Sequence, residues 1–425
     1  VTTLYELLNE DTAVRPTTQG SRKGWVFLAS VLIGITICVP VFVMGTQIAH
    51  QISLTSFVIG AFLGGVLASL IAVATGMIGI KTGLPTAMLA KMTFGTWGYV
   101  IANLALLLGG VGWFGIQTSV FSQSFIQLSQ SVWGVSLDTT SVTIISGLLM
   151  STTAIIGFRG LGKLSYIAVP LLLVMLFLPL YVLFSNGALA NVPLAPQTAT
   201  LTIGALVAMV AGAYSFSTTM PDITRYLRTT KDLVIGAFLN FALVYPLLLI
   251  LTGVMALAAG QNDIMAIMLS LGFGGMAIAV LFLATWTTND TNVYVGALSV
   301  QTFLPQFARW KIAAAVGVMG TIFALAGIFD HFMSWLILSG NLYAPMAGVY
   351  VMHYWLSPKD FQTEAKIPTF RPRPLCAWVI GVMVGLCTTP PAAMGFGLLT
   401  LSTVPMVDGL IAAALVQYVL FRIKR

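Results

Sequence analysis

Apolar runs of eighteen or more residues recur along nearly the whole chain, and each is long enough, at about 1.5 Å per residue, to cross a hydrocarbon core of about 30 Å. Barrel strands would be about half as long and would alternate. The sequence therefore predicts an all-α polytopic membrane protein. Composition agrees, with 58% of the 425 residues hydrophobic and only 7% charged. Read between polar punctuation, the runs place twelve spans near 25–47, 55–80, 97–126, 140–158, 162–184, 202–220, 233–258, 274–299, 310–329, 332–354, 375–398 and 406–422. Residues 1–24 form a polar tail with no secretory cleavage pattern, and 355–374 is the only long polar linker.

The placement of charge orients these spans. All nineteen lysines and arginines fall before span one or after an even-numbered span, from Arg15, Arg22 and Lys23 to Arg422, Lys424 and Arg425. This is the positive-inside pattern, with both termini cytoplasmic in a bacterial-type inner membrane. The net charge of +7 thus marks headgroup-facing loops and not a nucleic-acid surface. Cys38, Cys376 and Cys387 have no metal-like spacing and read as reduced packing residues.

Four spans carry breaks or polar groups near their middles. Span one holds Gly34 and Pro40, which lacks an N–H; span three holds GGVGWFGIQ, with Trp113 and Gln117 four apart and so on one face. Span six is short and interrupted over Gly212, Ala213, Tyr214 and Phe216, and span eight carries ATWTTNDTN. Trp113 lies about 24 Å and Trp286 about 20 Å from the cytoplasmic ends of their spans. All four irregularities therefore share a depth and can line one cavity. Spans one and six, and three and eight, are five apart and oppositely directed, the spacing of two inverted five-helix halves over 25–184 and 202–354, with two further helices in 375–425.

On a helix, Ala284, Thr287 and Thr288 share a face, and two hydroxyls beside carbonyls freed at a break in another helix make an oxygen cage suited to sodium. Gly34 and Ile37 are spaced to supply those carbonyls. The alternative is that both threonines bond back to their own helix. Asp290, a carboxylate inside the predicted bilayer, is either a proton site or a structural acceptor. Asp222, beside Arg225, reads as an ion-pair or helix-end group. Trp113, Tyr214 and Phe216 are core packing or a stacking surface for a flat heterocycle, whose donors and acceptors Gln117 and Asn289 would fix.

Five segments carry a resemblance: SRKGWVFL, KTGLPTAMLAKMTFG, GGVGWFG, PDITRYLR and WTTND. Together with the span layout they make the chain similar to the nucleobase:cation symporter-1 family, most closely its cytosine permease branch. The resemblance implies the leucine-transporter fold, five plus five inverted helices and two extra. Substrate would lie between spans one, three, six and eight. It implies that Trp113 stacks on substrate, that Gln117 matches the amide of the hydantoin-permease version, and that Gly34, Ile37, Ala284, Thr287 and Thr288 bind sodium. The chain departs at Gly110, Ala284 and Ala213, where cytosine permeases carry glutamine, asparagine and a stacking phenylalanine. A larger or differently hydrogen-bonding ring would suit the removed side chains.

The reading that follows is a monomeric secondary symporter, importing a nucleobase or related heterocycle with sodium as its coupling ion and using no organic cofactor. Proton coupling through Asp290 is the alternative within transport. A channel would instead show single-channel currents without saturable exchange. His50, His331 and His353 are far apart and no zinc spacing, phosphate loop or nucleophile elbow occurs, which argues against a membrane enzyme.

Overall fold

The computed structural model describes Thr17 and residues 22–156, 158–194, 201–213, 215–362, 367–391 and 394–423. Most of the expected tail 1–24 and Tyr214 lie outside the described residues. The first half of the chain forms α1 (Trp25–Thr36), α2 (Val39–Ala49), α3 (Leu54–Thr82), α4 (Thr86–Trp133), α5 (Thr139–Ile156) and α6 (Phe158–Ser185). Beyond them come α7 (Ile203–Ala213), α8 (Thr230–Ala259), α9 (Ile264–Ser270), α10 (Gly274–Gln301), α11 (Arg309–Leu325), α12 (Phe332–Leu356), α13 (Pro372–Thr388) and α14 (Pro405–Arg422). Among the described residues α3, α4, α8 and α14 are each long and apolar enough to cross a bilayer, and α1 with α2 makes a fifth candidate, bent by 61°.

The expected break in span one is present. α1 stops at Thr36, Cys38 is extended, and Pro40 sits in the first turn of α2, where a missing N–H costs nothing. Span six breaks as well: α7 ends at Ala213 and a 3-10 turn runs Ser215–Thr219. Neighbouring helices satisfy the carbonyls this frees. Thr75 Oγ1 of α3 donates to Ser217 O at 2.7 Å and Tyr350 Oη of α12 donates to Thr218 O at 2.7 Å. Asp222 is a helix-end group, its Oδ1 accepting the Thr86 N–H that opens α4 at 2.7 Å.

Two spans end elsewhere than expected. Span eleven, expected to reach 398, is helical only to Thr388, because Pro390 and Pro391 follow and bias the preceding residue away from helix. Span three begins early, at Thr86, and is kinked at Gly95, whose φ of +88° no other residue type adopts readily. Linker backbone fills the kink. Pro368 O accepts from Thr96 N–H at 3.0 Å, Thr369 O from Trp97 N–H at 2.9 Å, and Phe94 O accepts from Arg371 N–H at 3.0 Å.

Connections sort into two ends. At the basic end Lys23 pairs with Tyr226 and Arg228, Lys91 reaches Thr302 O, and the linker meets Phe94–Trp97. At the other end Thr46 Oγ1 donates to Asn262 O, Leu54 N–H to Leu194 O and Leu201 N–H to Gln51 O. On α4, Trp97, Ile101, Leu104 and Leu108 form an exposed apolar stripe at helical spacing, while Asn103, Leu106, Gly109 and Gly110 face inward. The inward face packs most extensively on α10.

Candidate functional site

The α1–α2 break, the middle of α4, the 3-10 turn after α7, α10 and α12 enclose one cavity. Its walls include Ile35, Cys38, Gly110, Trp113, Gln117, Phe216, Thr219, Thr288, Asn292, Phe332 and Tyr343. Four broken or polar segments far apart in sequence therefore do converge. Gly110 makes the approach possible: a Cβ there would stand 2.7 Å from Asn292 O and 2.9 Å from Gly296 Cα, so any larger residue would force α4 and α10 apart. A glutamine at that position would not fit this arrangement.

Trp113 and Phe216 both line the cavity, and Phe332 holds the indole edge-on at 6.1 Å and 79°. Gln117 is fully buried, and among the described residues neither of its amide atoms meets a nitrogen or oxygen partner. The Cys38 thiol beside it is only a weak partner for the amide. A buried amide with no stronger partner than a thiol is costly unless something in the cavity pairs with it.

Thr288 Oγ1 lies 2.9 Å from Ala284 O in its own helix and 3.3 Å from Ile35 O at the end of α1. The back-bonding expected of a helical threonine thus coexists with a link across to the broken helix. Three neutral oxygens converge there, a donor set that suits a hard monovalent cation. The α1 carbonyl that Thr288 reaches belongs to Ile35, between the two expected positions: Gly34 is buried one residue earlier, and Ile37 sits at the break with its N–H on Ile33 O. Ala284 is buried in α10, where Thr287 also lies.

Asn289 does not line the cavity. Its Nδ2 donates to Phe114 O, Thr118 Oγ1 and Met150 Sδ, at 3.5, 3.3 and 3.2 Å, which ties it between α4 and α5. Asn292, three residues on, takes its place in the wall. Asp290 is 2% exposed and is not part of that wall. Gly212 and Ala213 close α7 just before the 3-10 turn. Sequence reasoning missed Asn292, Thr219, Phe332 and Tyr343; only Asn292 carried a signal, as the last member of the polar run. A second, wider cavity, lined by Phe121, Phe125, Phe282 and Trp286, lies between α4, α5 and α10, so Trp286 faces away from the first.

A family model for permeases of cytosine and purines, uracil, thiamine and allantoin matches residues 16–396. The chain belongs to this family. The permease is 30% identical over 351 residues to the cytosine permease of Escherichia coli strain K12, an alignment covering 82% of this chain and 81% of that protein. It is 25% identical to a purine-uracil permease of Arabidopsis thaliana over 83% of this chain and 64% of that one. Among solved structures, Mhp1, a nucleobase-cation-symport-1 family transporter closed around bromovinylhydantoin, superposes with a TM-score of 0.81 at 19% identity, covering 97% of this chain and 95% of Mhp1. A Na+-coupled sialic acid symporter does so with a TM-score of 0.72 at 15% identity, over 99% and 93%. The fold is of the leucine-transporter type. The family read from the five motifs is borne out, and the permease is a transporter and not an enzyme.

Proposed function

We propose that the permease is a secondary symporter that imports a nucleobase or related heterocycle together with sodium, by alternating access around the cavity. One observation carries the reading: Thr288 of α10 reaches the Ile35 carbonyl at the broken end of α1, beside a cavity walled by Trp113, Phe216 and the open amide of Gln117. An ion held by oxygens of two helices stabilises only the state in which those helices are together, so it biases the conformation that also completes the substrate wall. Ligand oxygens are Ala284 O, Thr288 Oγ1 and the carbonyls at the end of α1, and Thr287 of the same helix is a further candidate. The heterocycle stacks on Trp113 and Phe216 and pairs with Gln117. The frame is twelve spans, five plus five inverted and two extra, with both termini cytoplasmic, acting as a monomer. The relatives named for cytosine, purine and uracil transport support the substrate class.

The test is thermal unfolding of purified permease with nucleobases and hydantoins, in sodium and in choline. A ring that raises the midpoint only in sodium, an effect lost in Thr288→Ala, is the expected result. Stabilisation equal in both salts overturns sodium coupling. If uptake then collapses in Asp290→Asn and follows pH, the buried carboxylate of α10 is the coupling site instead.

A further inference from the structure

A chain of hydrogen bonds behind the cavity wall fixes which end of one amide faces the ligand. Thr118 Oγ1 donates to Phe114 O at 2.8 Å, so its single hydrogen is committed and its oxygen can only accept. Phe114 O is itself an acceptor. Asn289 lies against both and must turn its Nδ2 toward them, which leaves its Oδ1 facing Asn292. Asn292 answers with its own Nδ2, at 3.1 Å. Its Oδ1 is then the end left for the cavity, and no protein donor meets it among the described residues.

The hydroxyls nearby have the same polarity. Thr219 Oγ1 donates to Phe216 O at 3.1 Å, Tyr343 Oη to Ala105 O at 3.0 Å, and Thr288 Oγ1 to Ala284 O, so each hydroxyl that lines the cavity has committed its hydrogen to a backbone carbonyl. Donors come from Gln117, the Trp113 indole and the Cys38 thiol. A ligand edge that meets Asn292 Oδ1 therefore meets an acceptor that cannot exchange places with Nδ2 without breaking the chain behind it.

We infer that Asn292 is a specificity-determining residue of the permease, and that it selects rings carrying an amino group at that edge over rings carrying an oxo group there. This inference rests on the proposed function and narrows it to amino-substituted heterocycles. An oxo oxygen set against Asn292 Oδ1 leaves two buried acceptors facing each other, and sites built around one hydrogen-bond polarity reject the opposite one strongly.

Two matched pairs, cytosine with uracil and adenine with hypoxanthine, test it, since an amino group becomes an oxo group at one ring position in each. Ligand concentrations for half-maximal thermal stabilisation in sodium are measured for wild type, Asn292→Ala and Asn289→Leu, with hydantoin as an oxo-only reference. The expected result is that the amino member acts at a concentration lower by about tenfold or more in wild type. The ratio falls toward one in Asn292→Ala, where the acceptor is gone, and in Asn289→Leu, where the amide is free to turn. Each ratio is taken within one variant, so differences in overall stability cancel, and Asn292→Ala decides alone should Asn289→Leu fail to fold. A preference for the oxo members, stabilisation by hydantoin alone, or a ratio unmoved by Asn292→Ala overturns the role of Asn292 and leaves the proposed function standing. No stabilisation of wild type by any of the five rings overturns both.

Discussion

Gln117 is the residue at which the proposed substrate contact is most directly tested. Among the described residues its amide meets no nitrogen or oxygen partner inside a fully buried site, a desolvation cost of about 1–3 kcal/mol that folding alone gives no reason to keep. Gln117→Leu is expected to leave the free permease as stable as wild type or to raise its unfolding free energy by about 1 kcal/mol, because an unsatisfied amide is replaced by an apolar group of similar size. The same change should abolish stabilisation by the heterocycle. Thermal unfolding with and without ligand separates the two effects, and a variant that loses stability while keeping ligand stabilisation would make Gln117 a packing residue.

Breaks in helices are tolerated here because other elements occupy them. The α1–α2 break faces Thr288, the turn after α7 is bonded by Thr75 and Tyr350, and the kink at Gly95 receives residues 368–371 of the linker. Gly95 combines φ +88° with ψ 174°, a region essentially restricted to glycine, and a Cβ there would stand 2.8 Å from Pro368 O. Gly95→Ala is expected to cost about 1–3 kcal/mol and to release the linker from α4. Hydrogen exchange should show the amides of Thr96, Trp97 and Arg371 losing protection together, while those of α10 keep theirs. Unchanged exchange at all three would mean that the linker is held by its side chains alone.

At the scale of the whole molecule, the linker is joined to α12 by an ionic contact that should be insensitive to physiological pH. Asp360 Oδ2 lies 3.0 Å from His353 Nε2 and 2.7 Å from Arg371 Nη1, and the hydrogen bond to His353, with Arg371 adding hydrogen bond and charge, holds its carboxyl well below the usual carboxylate range. A folded-state pKa lowered in this way contributes stability that is present above the unfolded value, about 3.9, and is lost as pH falls through the folded one. The midpoint difference between wild type and Asp360→Asn is therefore expected to stay constant from pH 8 to about pH 5 and to shrink below that. A difference that instead vanished between pH 8 and 6 would assign the contact to His353 titration.

Sequence alone determined the all-helical membrane class, the two broken spans and the family, because hydropathy, proline and glycine act locally and a bilayer forbids most alternatives. Trp113 and Gln117 were legible for the same reason, four apart on one helix. Tertiary packing decided what local rules leave degenerate. Asn289 and Asn292 differ by about 60° around α10, and only the rotation of that helix, set where Gly110 and Gly296 let two backbones meet, turns one into the wall and the other behind it. Likewise the choice of Ile35 as the carbonyl that Thr288 reaches depends on how far α1 unwinds before Cys38, and that follows from the helices packed against the break and from no pattern in the chain itself.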